Sequence, residues 1–160
     1  MTDWGNDEFD GIDAEPITVD NATGELVDGD EPDSAPDEPE LYYGSVDEFL
    51  REYLRHVYKR PINGRSRVWA ARWWEYDEAV IRLEALWRSW EFLRRDPATG
   101  MSVWLRDHAD HHMAALFDPD GPFLGAQVDA SENLTARRGD PLPYLPPPEG
   151  SFPDVRDLAV

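Results

Sequence analysis

Residues 68–95 read VWAARWWEYDEAVIRLEALWRSWEFLRR and hold five of the chain's seven tryptophans: Trp69, Trp73, Trp74, Trp87 and Trp90. A stretch this rich in indole has to be covered, so the rest of the chain is expected to pack onto it, cap it or trail from it. The spacing predicts one long amphipathic helix, or a short helix running into a long one. Tyr76, Ala79, Val80, Leu83, Leu86, Trp87, Trp90 and Leu93 recur at helical intervals and form a wide apolar face. The outer side carries Glu78/Arg82, Glu84/Arg88 and Glu91/Arg95, each with the acid N-terminal at i,i+4. Such pairs contribute about 0.2–0.5 kcal/mol each, so burial of the aromatic face must dominate.

Two further helices are expected to flank this one. Ser45-Val46-Asp47-Glu48 is a capping-box pattern, in which the Ser45 hydroxyl accepts from the Glu48 N–H and Glu48 reaches back. Behind it, Val46, Phe49, Leu50, Tyr53, Leu54 and Val57 make a one-face stripe, and Pro61 with Asn63-Gly64 ends the helix. Asp96-Pro97-Ala98-Thr99-Gly100 is a stop and turn. A third helix is predicted over about residues 102–117, with Trp104, Leu105, His108, His112, Ala115 and Leu116 on one face. Phe123 to Val128 reads as a brief strand or extended piece. Pro141 to Pro148, PLPYLPPP, is a polyproline stretch. It reads as a wrap in which Leu142, Tyr144 and Leu145 cover tryptophans of the same domain, with an SH3-like partner as the alternative.

Charge sets the domain organisation. Residues 1–40 hold 15 of the 34 acidic residues and no Lys or Arg, whereas residues 41–160 hold the other 19 acids and all 15 basic residues. Most of the net charge of −19 therefore lies in the first 40 residues. Low hydrophobicity with charge of one sign does not repay ordering entropy, so residues 1–40 are expected to be a disordered acidic tail. Trp4, Phe9 and Ile12 interrupt its acids, which makes them a candidate docking motif within an otherwise solvating segment. The expected fold is all-α: a small three-helix domain over residues 41–150, with a long Trp-rich central helix and a Pro-rich extended C-terminal segment. Residues 151–160 are expected to fray.

Several function classes recede on composition. The chain has no cysteine, which removes a disulfide framework, a thiol nucleophile and thiolate metal sites. The opening MTDWGNDEFDGID has neither a basic start nor an apolar run, so no secretory signal is expected, and no stretch approaches the roughly 18 apolar residues of a membrane span. A cytoplasmic location is the expectation. Net acidity argues against a general binder of nucleic acid or anionic membrane.

Two constellations could carry chemistry. In Asp107-His108-Ala109-Asp110-His111-His112, His108 and His112 lie one helical turn apart, a spacing that grips a metal ion. Ala109 stands where the zincin pattern requires Glu, and no third ligand is evident, so a polar helix face is the plainer reading and no cofactor is expected. Glu78 and Glu84 are carboxylates of the acid–base type, but each has an arginine in register. No nucleophile elbow or phosphate loop is present, so no enzyme is expected. The second constellation is basic and aromatic: residues 51–95 carry 11 basic and 6 acidic residues. Arg65, Arg67 and Arg72 beside Trp69, Trp73 and Trp74 suit a single strand bound by phosphate contact and stacking. Equally, those arginines would lie over tryptophans within the fold.

The run Trp73-Trp74, Glu78-Ala79, Arg82 through Arg88, Trp90-Glu91 and Leu93-Arg94 resembles an uncharacterised actinobacterial family, the domain of unknown function numbered 4913. The resemblance continues through Trp104, Asp107-His108, Asp110, Gly121-Pro122-Phe123, Leu142-Pro143 and Pro146 to Gly150, and covers about residues 41–150. It departs at Tyr76, where the family usually has His, and at Ala126, where Cys is common, which weakens any metal site using that pair. The family carries no established activity. The resemblance implies membership of plasmids and integrated mobile elements near conjugation-type transfer genes. The expectation is a non-enzymatic adaptor or interaction protein with a protein partner, accessory to DNA transfer. The alternatives are a nucleic-acid-binding module on the 51–95 surface, masked by the acidic tail, and a metal-binding protein through the 107–112 cluster.

Overall fold

Ser45 opens the first helix with extended backbone, φ −152° and ψ 161°, and its hydroxyl accepts from the Glu48 N–H at 3.1 Å in the computed structural model, which describes residues 40–158. The acidic segment before it, with Trp4, Phe9 and Ile12, lies outside the described residues. Glu48 does reach back, but to the Gly44 N–H at 2.7 Å, one residue before the cap. The helix runs through Val46–Phe49, a wider π-type stretch Leu50–Leu54, and Arg55–Val57; together these are α1. In the π stretch the Arg55 N–H donates to the Leu50 carbonyl, five residues back.

That extra residue changes which side chains face inward. Val46, Phe49, Leu50 and Leu54 are buried as the stripe predicts, but Val57 is 45 % exposed and Tyr58 is buried in its place. A π turn adds one residue without adding a turn, so the residues beyond it are rotated relative to an α-helical register.

Residues 68–71 are not helical. The Val68 N–H donates to the Phe117 carbonyl at 3.1 Å, and the Ala71 N–H to Asn133 Oδ1 at 2.7 Å. Tertiary acceptors take the donors a helix would have used. A single 3₁₀ turn, Trp73–Glu75, and an extended Tyr76 lead into α2, Asp77–Leu93. The second of the two sequence readings, a short helix running into a long one, is therefore the nearer. α2 buries Ala79, Leu83, Leu86, Trp87, Trp90 and Glu91.

Asp96 closes the connection, accepting from the Ala98 N–H at 2.9 Å and from the Thr99 hydroxyl at 2.6 Å. Gly100 begins α3, and a Cβ there would sit 1.8 Å from the Leu93 carbonyl oxygen, so only glycine allows the two helix ends to meet. α3 comprises Gly100–Val103, a second π stretch Trp104–Ala109, and Asp110–Phe117. Its buried residues are Trp104, Ala109, Met113, Leu116 and Phe117, a spacing of five and then four. The predicted face through Leu105, His108 and His112 follows an uninterrupted α register. The π turn displaces it, leaving Leu105 40 % exposed and both histidines half-buried.

Among the described residues the core takes in five tryptophans. Trp69, Trp73 and Trp104 are fully buried, and Trp87 and Trp90 nearly so. Each buried indole removes roughly 150–250 Å² from water, on the order of 4–6 kcal/mol as an upper bound. Three indole N–H groups end on backbone carbonyls: Trp69 on Pro143 at 2.8 Å, Trp87 on Tyr43 at 3.2 Å and Trp104 on Leu86 at 3.1 Å.

The rest of the chain covers this core without regular pairing, and there is no strand among the described residues. Residues 123–128, predicted as strand or extended, form turns around the buried Phe123, which meets Trp69 at 5.2 Å and Tyr76 at 5.3 Å. Residues 141–148 are extended and do wrap the core. The Leu142 N–H donates to the Arg55 carbonyl and the Leu145 N–H to the Ala71 carbonyl, while Leu142 is fully buried. Residues 151–158, expected to fray, are instead tied down. Phe152 packs on Trp73 at 4.8 Å, the Val155 N–H donates to the Gly44 carbonyl, and Arg156 bonds the Tyr42 carbonyl at 2.8 Å and Glu48 at 2.9 Å. No helix among the described residues is long and apolar enough to cross a membrane.

Candidate functional site

The six residues proposed from sequence as an aromatic–basic surface do not form one. Trp69 and Trp73 have no exposed surface, so neither ring is available to stack on a base or a partner. Trp74 is half-buried and edge-on to Trp73 at 6.1 Å. Arg72 is exposed but held between Glu132 at 3.4 Å and Glu75 at 3.8 Å, in a polar cleft of about 500 Å³ shared with Tyr76, Gln127 and Asn133. Arg65 and Arg67 lie apart on the loop after α1, whose Asn63 Oδ1 accepts the Arg65 N–H at 3.0 Å. The indoles are core because Val68 bonds to Phe117, and Ala71 to Asn133 and Leu145, which turns both rings inward.

The histidine cluster is shaped by its neighbours. His112 Nδ1 lies 3.3 Å from Arg82 Nη1, and Arg82 also holds Glu78 at 2.7 Å. A guanidinium can only donate, so it fixes Nδ1 as the acceptor of a neutral imidazole and sets a cation where a metal would approach. Asp107 is paired with Arg106 at 2.6 Å. Among the described residues no three His, Asp or Glu side chains converge on one point.

Burial, and then the charges of Arg82, His111 and His108, hold the His112 imidazole below its ordinary value of 6.5. The unfolded state therefore binds more protons just below that value. His112 contributes stability that is present above pH 6.5 and is lost as pH falls through its lower folded pKa. Urea midpoints should fall between about pH 7 and about pH 5, and His112→Gln should flatten that part of the profile. An identical slope in the variant would rule His112 out as its source.

What the sequence reading passed over is the outward side of α2. Of the three ion pairs expected there, Glu78–Arg82 forms. Arg88 instead lies over the Trp87 ring at 4.0 Å, and Glu91 is buried and paired with Arg94. Ile81 is 66 % exposed and Phe92 72 % exposed, with Ala85 and Arg88 between them on the same face. Phe92, Arg88 and Arg95 border a shallow cleft of about 160 Å³ with Leu41 and Glu40. Tyr42, 61 % exposed, stands near the same end, under Arg94 at 5.6 Å. The signal was available: Ile81 and Phe92 fall outside the buried stripe on a helical projection, where polar residues are the rule.

The sequence model described as Domain of unknown function (DUF4913) matches residues 43–148. The match begins at the buried Tyr43 and ends with the extended proline segment, so it spans all three helices. No curated protein and no solved structure matches the chain.

Proposed function

The chain belongs to the DUF4913 family, and we propose that it is a cytoplasmic adaptor, a non-enzymatic interaction protein that docks a partner on the outward face of α2. The observation that carries this reading is the exposure of Phe92 and Ile81, 72 % and 66 %, on a helix whose other large apolar side chains are buried or half-buried. Covering two such side chains stabilises a complex by about 1.5–3 kcal/mol each before the costs of association. Arg88 and Arg95 flank Phe92 without a carboxylate partner among the described residues, so the partner surface is acidic with an apolar centre. An accessory role in conjugation-type DNA transfer is part of the proposal, on what the sequence resemblance to this one family implies. In this reading residues 1–40 are a tail on a domain of residues 41–150, and Trp4, Phe9 and Ile12 are a second docking element.

The test is affinity capture with the full chain and with Ile81→Asp/Phe92→Asp, each with and without nuclease. Partners that resist nuclease and fall at least about tenfold in the variant support the reading, since two exposed apolar contacts are worth that much. The same partners recovered equally by both chains would reject the α2 face, and substrate turnover dependent on Glu78 or His108 would reject the non-enzymatic reading.

A further inference from the structure

Among the described residues, six of the chain's fifteen cationic side chains, Arg51, Arg72, Arg82, Arg94, Arg106 and Arg156, pair with carboxylates. Lys59, Arg60, Arg65, Arg67, Arg137 and Arg138 make no ion pair among the described residues, and they lie on two loops that meet at Ile62 and Thr135. The edge is two loops laced together. The Ile62 N–H donates to Thr135 Oγ1 at 2.9 Å, and the Thr135 N–H to the Ile62 carbonyl at 3.2 Å.

Both loops are hydrogen-bonded internally. Asn63 Oδ1 accepts from the N–H groups of Arg65 and Ser66, and the Asn63 and Gly64 N–H groups both reach the Arg67 carbonyl. Gly64 has φ +68°, and a Cβ there would lie 2.3 Å from the Val128 carbonyl oxygen, so the tight turn is pressed against the neighbouring segment. On the second loop the Arg137 N–H donates to Asp140 Oδ2 at 2.7 Å, and the Asp140 N–H returns to the Arg137 carbonyl at 3.3 Å.

We propose that this edge, residues 59–67 with 135–138, grips the phosphodiester backbone of a nucleic acid. Five of its six cations are guanidiniums, which match phosphate oxygens bidentately, and the loops hold them without spending a carboxylate on each. Nearby acids are partly engaged: Asp110 by the Tyr58 hydroxyl, Asp140 by Arg137, and Asp118 by the Asp120 N–H. Among the described residues Val57 is the large exposed apolar side chain of this edge; Ile62 is buried, and so are Tyr58, Met113 and Phe117 behind Arg60 and Arg67, where Asp110 and Asp118 line the same cleft. Protein interfaces are built around apolar centres, whereas phosphate contacts need none, and this favours nucleic acid over an acidic protein. Contact depends on local charge. Residues 41–160 carry 15 basic and 19 acidic residues, and charges more than about 8–10 Å from the edge are screened at physiological salt. Base readout plays no part, so binding is weak and indifferent to sequence. The site is separate from the α2 face, and either can fail alone.

The experiment is fluorescence anisotropy of a labelled DNA duplex with the full chain at about 50 mM and about 200 mM salt. Binding at the lower salt that weakens steeply at the higher is expected. Arg65→Glu/Arg138→Glu should weaken it about tenfold or more and reduce the salt slope by about 2, while Arg88→Glu/Arg95→Glu, an equal charge change on α2, keeps the wild-type slope. Both edge side chains are exposed, so unfolding midpoints should not move. Should the reversal unfold the chain, Arg65→Gln/Arg138→Gln reads the same slope. No binding at about 50 mM salt overturns the proposal, as does equal loss in the α2 variant, which would make the effect one of global charge. Loss of a nuclease-resistant protein partner in the edge variant, with duplex affinity unchanged, assigns the edge to a protein and overturns it too.

Discussion

Replacing Glu91 by alanine lowers the unfolding free energy by roughly 3–5 kcal/mol, the range for removing one member of a buried, hydrogen-bonded ion pair. Glu91 is 5 % exposed. Its carboxylate accepts from the Tyr42 N–H at 3.0 Å, the Tyr43 N–H at 2.8 Å and Arg94 Nε at 2.8 Å. Arg94 in turn donates to the Glu40 carbonyl at 2.8 Å and lies over the rings of Tyr42 and Trp90. One buried carboxylate thus anchors the chain where it enters the domain. Without it, two backbone donors and a guanidinium lose their acceptor. Glu91→Gln keeps one acceptor oxygen but turns an NH₂ toward a donor, and falls between alanine and wild type. Glu84→Ala, two turns earlier but exposed and unpaired among the described residues, should stay within about 0.5 kcal/mol of wild type. Urea denaturation of the three variants checks this. A Glu91→Ala cost below about 1 kcal/mol would show that the entry segment does not depend on the carboxylate.

Trp69→Ala carries a comparable penalty, about 3–5 kcal/mol, because it empties a large site in a close-packed interior. Trp69 meets Phe117 at 5.8 Å and Phe123 at 5.2 Å, and its N–H satisfies the Pro143 carbonyl. The loss therefore combines a cavity with an orphaned acceptor, and it loosens the proline segment from the core. Trp74→Ala, at a half-buried ring, should cost about 1 kcal/mol. The pair separates a core indole from a surface one: if Trp69 served a partner instead, its removal would abolish binding and spare stability. Thermal and urea unfolding measured beside DNA and partner binding distinguish the two.

The sequence made the helices legible wherever local chemistry decides them. The Ser45 cap, the Asp96-Pro97 stop and the run from Asp77 to Leu93 were each readable because caps, breakers and a 3.6-residue period act over a single turn. The polyproline wrap was readable for a similar reason, since its conformation is set residue by residue. The inward faces of α1 and α3 were legible only as far as their π turns. Val57 and Tyr58 exchange places, and Leu105 gives way to Ala109, because one added residue rotates everything after it. No periodicity measured along an ideal helix contains that rotation.

The functional reading shifted for a related reason. Arginine beside tryptophan in sequence suggested a stacking surface, yet the Trp69 and Trp73 rings point into the core and Arg72 is spent on Glu75 and Glu132. Six of the cations without an ion pair among the described residues come from residues 59–67 and 135–138, far apart in sequence and joined through Ile62 and Thr135. Glu91 looked like the acid of a surface pair because its spacing to Arg95 is right, and the chain entering at Tyr42 and Tyr43 made it a buried anchor instead. By itself, then, the sequence determined the helical class, the Ser45 cap, the Asp96 stop and the concentration of negative charge in the first 40 residues, all properties of local periodicity and composition. Which indoles are core, which arginines are free and which face of α2 is bare were decided by tertiary structure. Each depends on which distant segment supplies the partner, and a pattern confined to neighbouring residues does not specify that.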